Sequence, residues 1–308
     1  MHKISVAIFA CVTLAGACLN ASPYPDAVMK WTDKDKAVQR QAGADILKKI
    51  YVAAAKKQKT VNIPKGVYRF SETVNPWQPT HIFLRGAKNL TIDGNGSWFY
   101  FDRQASAFLF SRCENVTLKN INIDYDPLPY VQGTVVVIDD KSRPRTFEFK
   151  LDKGYKMPDF LVKSKFKWCK KISSGNSRLL LFDRNTGLIK ADQPGMDIVH
   201  RKEPVKKLAN GNYRIDTWIW WGRSLKEAGF KVGDAIALWK RAGRTIRLEV
   251  CGKMVLDNVD IYAGGFVAYV GYLGQGPFIF RNCDIKRRPG TSRLVANNAD
   301  GFNVRGTY

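Results

Sequence analysis

Very few side chains in this sequence can do chemistry, and that scarcity narrows the reactions open to it. Only three histidines occur, His2, His81 and His200, so a histidine-based triad or a multi-histidine metal site is all but excluded. No nucleophile elbow and no phosphate-binding glycine loop is present; the glycines at 271, 274 and 276 suit a tight bend. Asp93-Gly-Asn95-Gly has the flavour of a calcium loop but lacks the later glutamate, and reads as a turn. Carboxylates remain. Asp300, in NNADGFNV (297–304), is an acid beside a glycine just ahead of a strand, a place that puts a carboxyl at the mouth of a sheet groove. Asp124 and Asp126, in NIDYDP (122–127), face the same way as each other and are turn formers, substrate contacts or both. The basic run RRPGTSR (287–293) lies a partial coil before Asp300; arginines and an acid converging on one groove suit recognition of hydroxyls and anions.

The elements that must hold these groups are legible as repeats. CENVTLKNINI (113–123) and CGKMVLDNVDI (251–261) share Cys, Leu, Asn and Ile in register, FIFRNCDI (278–285) keeps the Asn and the Ile, and NLTIDG (89–94) fits as an earlier copy. Such spacing predicts an all-β parallel β-helix with coils stacked about 4.8 Å apart. Aliphatic residues then point inward, and asparagines hold the bends in the left-handed conformation. Asn120, Asn258 and Asn282 should form one column. Cys113 and Cys251 take the same inward position, where a reduced thiol packs as a small hydrophobe. Residues 35–56 read as an amphipathic helix with Val38, Ala42, Ile46, Ile50 and Ala54 on one face. Followed by TVNIPKGVYRF (60–70), it should cap the open end of the solenoid.

Cys113 and Cys251 are 138 residues apart, far more than one coil, so something is inserted between them. Residues 132–242 read as short alternating strands with an Asn210-Gly211 hairpin turn, the signature of an antiparallel barrel or sandwich. Trp218, Trp220 and Trp221 fall within it, in a core, an interface or on the surface. The expected divisions are thus 1–22, 35–131, 132–242 and 243–308. The first 22 residues read as a signal peptide, with Lys3, an apolar run from Ile4 to Ala17 and small residues before Cys18. Export to the periplasm or the exterior follows, either by plain cleavage or with a lipid anchor on Cys18. No other stretch is long and apolar enough to span a bilayer. The solenoid stops at Tyr308 without a closing cap, so the chain reads as C-terminally incomplete.

The charge is unusual: 50 Lys and Arg against 27 Asp and Glu, a net +23. The basic residues are spread along the chain and no nucleic-acid motif accompanies them, so nucleic acid is not an expected partner. An acidic polymer or a solvated basic surface accounts for the excess.

Taken together, CENVxLxN, DYDPLPYVQG (124–133), the β insert, RRPGTSRL (287–294) and ADG (299–301) resemble glycoside hydrolases of family 110, exported bacterial exo-α-1,3-galactosidases. The resemblance spans residues 35–308. It implies a right-handed parallel β-helix carrying barrel inserts and hydrolysis of terminal α-1,3-linked galactose with inversion and no cofactor or metal. It also makes Asp300 a catalytic carboxylate, with Arg288, Arg293, Asp124 and Asp126 at the substrate glycan. The family's other acids, an Asp-Asp pair one coil further on, have no counterpart here. Inversion needs two carboxyls about 6.5–9.5 Å apart, so the chain as given is expected to be inactive and its full-length parent active. A polysaccharide lyase on the same fold, acting on acidic glycans, and a non-catalytic glycan-binding solenoid are the alternatives.

Overall fold

The structure is a computed structural model. It describes residues 31–75, 78–157, 177–190, 196–198, 205–217, 224–240, 243–265, 267–297 and 301–305. The expected signal segment, Cys18, Cys169, the tryptophans at 218, 220 and 221, His200 and Asp300 lie outside the described residues.

Helix α1 (Asp33–Ala55) starts at a reciprocal cap: Asp35 N donates to Thr32 Oγ1 and Thr32 N to Asp35 Oδ2. Its buried residues are Gly43, Ile46, Ile50 and Ala53; of the expected face, Ile46 and Ile50 are buried and Ala42 and Ala54 pack against the core, while Val38 is exposed. A backbone contact fixes how closely the helix sits. A Cβ on Gly43 would stand 2.1 Å from the carbonyl oxygen of Arg69, so only glycine lets the helix lie directly on the first coil.

Below the helix the chain winds through two parallel sheets. One contains β1 (Thr60–Asn62), β2 (Val67–Phe70), β4 (Lys88–Phe101), β6 (Glu114–Tyr125), β15 (Met254–Ile261) and β17 (Phe278–Arg281). The other runs β18 (Phe302–Arg305), β16 (Val267–Tyr272), β14 (Arg244–Glu249), β5 (Ser106–Ser111), β3 (Thr80–Arg85). Neighbours from successive coils pair parallel and in register, as the repeats require: Ile92, Leu118 and Leu256 are partners across β4, β6 and β15. Their side chains join Phe99, Phe108, Phe110 and Ile246 in one dry core. This is the parallel β-helix expected from the sequence.

The asparagines behave as bend residues. Asn120, Asn258 and Asn282 have φ of 56°, 54° and 51°, conformations that cost Asn less than other side chains. Asn258 Nδ2 donates to Asn120 Oδ1 at 2.9 Å, and Asn120 Nδ2 donates to Asp93 Oδ1 at 2.9 Å. The third amide departs from the ladder: Asn282 Nδ2 donates to Asp257 Oδ1. Asp93-Gly-Asn95-Gly forms the bend inside β4, where the Asn95 amide donates to Asp93 Oδ1 and the pairing with β6 shifts register. Cys113 and Cys251 are buried free thiols, and Gly252 N donates to the carbonyl of Cys113 across the coil boundary.

Between β6 and β14 the chain leaves the solenoid and returns. It leaves along β7 (Tyr130–Asp139) and returns along β13 (Ala235–Lys240), antiparallel neighbours that pair Tyr130 with Trp239. The excursion therefore ends where it began, and β14 stacks directly on β5. The other strands are β8 (Arg145–Leu151), β9 (Ser177–Phe182), β10 (Met196–Ile198), β11 (Lys206–Lys207) and β12 (Tyr213–Thr217). Their order, β10-β9-β13-β7-β8-β12-β11, makes one antiparallel sheet. Among the described residues that sheet is open, with β10 and β11 at its edges, so the expected barrel closure is not found. One apolar cluster, including Phe147, Phe149, Phe230 and Leu238, covers it. Asn210-Gly211 turns β11 into β12, with Gly211 at φ +83°.

Candidate functional site

Beyond the bend in β4, alternate residues point away from the core, and strand register stacks them. Arg69 of β2 pairs with Tyr100 of β4, which pairs with Asp124 of β6. Trp98 pairs with Asn122, which pairs with Asp260 of β15. The outer face of these coils thus carries rows of aromatic, basic and acidic groups.

Asp124 is the centre. Its side chain is fully buried, and both oxygens are taken: Oδ2 by Arg288 Nη1 at 2.6 Å, Oδ1 by Arg293 Nη1 at 2.8 Å and by the amide of Tyr125 at 2.9 Å. Arg293 is equally buried. A carboxylate between two guanidiniums in a dry site offsets desolvation that neither charge could bear alone. The segment carrying these arginines is also held by the excursion's first strand. Gln132 Nε2 donates to the carbonyl of Ser292, Gln132 Oε1 accepts from Leu294 N, and Tyr130 Oη donates to the carbonyl of Val295. Solenoid and insert together fix residues 288–296.

Arg288 differs from its partner. It is 10% exposed, its guanidinium lies 4.2 Å over the half-buried Trp98 ring, and Nη1 also donates to the Tyr100 hydroxyl. Burial pushes the Tyr100 phenol far up, with the Asp124 charge adding to it, so that hydroxyl stays protonated. Trp98 packs against Tyr262 at 4.8 Å. Lys286 sits over the Tyr262 ring and is ion-paired to Asp260 and Asp284, each at 2.8 Å. Hydrogen bonds to those two carboxylates hold its ammonium well above the ordinary lysine range.

Asp126 belongs to a neighbouring cluster. It pairs with Lys36 of α1 and with the fully buried Arg69, each at 2.9 Å. Arg69 also binds Asp102, which accepts from Arg40 and Ser71 as well. Burial tends to raise the Asp102 carboxyl, but the hydrogen bonds from Ser71, Arg69 and Arg40 outweigh it and hold it below the usual carboxylate range. Trp31 meets Tyr100 edge-on at 4.5 Å and takes the Arg69 guanidinium over its face. This cluster ties the cap helix to the same face.

Of the residues expected at the site, then, Asp124, Arg288 and Arg293 come together, Asp126 sits one cluster away, and Asp300 falls outside the described residues. Arg288 and Arg293 converge on Asp124; their expected convergence with Asp300 lies outside the described residues. Trp98, Tyr100, Gln132 and Asp102 escaped the sequence reading. The signal for two of them was there: in SWFYF (97–101) strict alternation turns Trp98 and Tyr100 outward if Phe99 and Phe101 face the core. Among the described residues no group of three or more His, Cys, Asp or Glu could hold a metal ion. A cleft of about 670 Å³ lies between α1 and the first coil, but Glu72 is the sole carboxylate lining it, so it cannot supply an acid and a base.

No family model matches the chain. It is similar to an "Alpha-1,3-galactosidase B" of Akkermansia muciniphila, 24% identical over 312 residues that take in 96% of this chain and 36% of the relative. An "Alpha-1,3-galactosidase A" of Shewanella woodyi is 25% identical over 244 residues, 76% of this chain and 37% of the relative. A shorter stretch of 57 residues, 18% of this chain, is 42% identical to an "Alpha-1,3-galactosidase A" of Bacteroides thetaiotaomicron. The chain spans little more than a third of the length of the two relatives it matches most broadly. At low identity, relatives named for one glycosidase activity accompany nearly the whole of this parallel β-helix.

Proposed function

We propose that the protein is an exported glycoside hydrolase that removes terminal α-1,3-linked galactose from glycans with inversion at the anomeric carbon. The observation that carries this is the similarity to the Akkermansia muciniphila galactosidase over 96% of the chain. The described coils also present a face of fixed arginines and aromatic rings suited to a sugar. In this reading Asp300 supplies one of the two carboxyls that inversion requires, one to protonate the leaving oxygen and one to activate water. Arg288 contacts the substrate, and Asp124 with Arg293 holds it in place from behind. Asp126, paired with Lys36 and Arg69, flanks the site from the side of the cap helix. The reaction draws on carboxyl groups alone and calls for no cofactor.

The full-length gene product, incubated with an α-1,3-linked galactobiose, should release galactose whose first-formed anomer is β by proton NMR. Asp300→Asn should lower turnover by at least about a thousandfold, the scale expected when an acid or base is lost from a pair that must act together. An unsaturated uronate product from pectic or other acidic glycans would replace this reading with a lyase. Saturable galactoside binding without turnover would replace it with a glycan-binding solenoid.

A further inference from the structure

Between β17 and β18 no strand is found among the described residues. The backbone of the segment that carries Arg288 and Arg293 must therefore find its hydrogen bonds elsewhere. One side chain of the insert supplies two of them. Gln132 of β7 is 1% exposed. Its Nε2 donates to the Ser292 carbonyl at 2.9 Å and its Oε1 accepts from Leu294 N at 3.1 Å, so a single amide grips the chain on both sides of Arg293. The insert also decides which way round that amide lies. Its second N–H donates to Asp152 Oδ2 at 3.0 Å, and Arg184 holds the same carboxylate through both Nη atoms. Oxygen is thus left facing Leu294 N, and the amide has no freedom to flip.

From Arg293 the connection continues to the face of the coils. Arg293 Nη1 holds Asp124 Oδ1 at 2.8 Å, and Asp124 Oδ2 holds Arg288 Nη1 at 2.6 Å. Arg288 also meets Trp98 and Tyr100, but its charge-assisted bond to Asp124 is the strongest of its ties. Its backbone belongs to the same gripped segment, where Thr291 Oγ1 donates to the Arg288 carbonyl at 2.7 Å. Both ends of the Arg288 side chain are therefore referred to the place where Gln132 holds the chain. We propose that Gln132 is a positioning residue for the substrate contact of Arg288, which makes the insert part of the binding site and not an appended module. The inference rests on the proposed galactosidase function for what Arg288 touches. It goes beyond that function in assigning the insert a role in binding and one residue that exerts it.

The test compares the full-length gene product with its Gln132→Met variant, whose unbranched side chain has similar length and lacks the amide. Steady-state kinetics on an α-1,3-linked galactobiose should show KM raised by about tenfold, the scale of one hydrogen bond from a charged donor to substrate, with kcat within about threefold. A role in stability alone would do the opposite, lowering the folded fraction and with it the apparent kcat while KM stays put. Amide exchange across 288–296 should speed up about tenfold or more in the variant while β15 is unchanged. Tyr130→Phe, which loses only the hydroxyl bond to the Val295 carbonyl, should raise KM by about threefold and decides the matter if Gln132→Met does not fold. Unchanged KM, or a fall in kcat alone, overturns the positioning role and leaves the galactosidase reading standing. Wild type without galactosidase activity overturns that reading instead. The exchange data then judge Gln132 by themselves: faster exchange confined to 288–296 upholds its hold on the segment, and unchanged exchange overturns it.

Discussion

Replacing Asp102 with alanine should loosen the cap helix from the solenoid. Asp102 joins three elements: Arg40 of α1 at 2.7 Å, Arg69 of β2 at 2.7 Å and Ser71 beyond it. Arg69 is fully buried, so its charge cannot turn to water when the carboxylate goes. Breaking a buried pair by removing one partner costs about 3–5 kcal/mol. Asp126 still touches the same Nη1, which argues for the lower end, about 3 kcal/mol. Because solenoid coils contact only their neighbours, the loss should concentrate at this end. Amide exchange in α1 and β1–β2 should speed up about a hundredfold, the rate equivalent of that energy, while β15 stays protected. The sign with pH follows from the lowered Asp102 carboxyl. Its contribution is complete above the usual carboxylate value of 3.8 and is lost as pH falls through the lower folded value. Wild type should therefore lose cap-helix protection in acid below that value, and Asp102→Ala should show little further change there. Exchange in the variant within a factor of about three of wild type at neutral pH, or equal acceleration in β15, would refute the reasoning.

Two further outcomes follow from the coils. Asn120→Ala forces alanine to a φ of 56° and breaks the ladder from Asp93 to Asn258, so the urea midpoint should drop by the equivalent of about 1–2 kcal/mol. Asn120→Gly relieves the φ but not the broken ladder, so it should recover part of that loss, and a glycine variant as unstable as the alanine one would show that the bend is not what matters. His81 is buried with its ring nitrogens facing the carbonyls of Glu72 and Arg103. Burial lowers its pKa below 6.5, against the pull of those carbonyls and of Asp102. The unfolded chain takes the proton first, so stability present above pH 6.5 should decline as pH falls toward the folded value. Thermal unfolding of wild type against His81→Gln across that window checks it; parallel profiles would sink the claim.

The coils were legible because a parallel β-helix repeats one local problem. Each turn must place an aliphatic residue inward and an asparagine at the bend, so Leu118 and Leu256 align in sequence before they pair in space. The inward face of α1 was legible at Ala42, Ile46, Ile50 and Ala54; what was not is the close approach of Gly43 to the Arg69 carbonyl, a contact between segments 26 residues apart. Closure of the inserted sheet was likewise beyond reach, since alternation fixes which face of a strand is apolar and not which strands become neighbours.

Sequence by itself determined the stacked architecture and the inward-facing core thiols at Cys113 and Cys251. Both follow from short-range pattern and from the stacking of equivalent positions. Tertiary structure alone decided how the charges are spent. Asp124 lies more than 160 residues before Arg288 and Arg293, and no local signal says which acid two arginines will meet. That meeting buries Asp124 and Arg293 together and leaves Arg288 a tenth exposed beside them, because two opposite charges can leave water only as a pair.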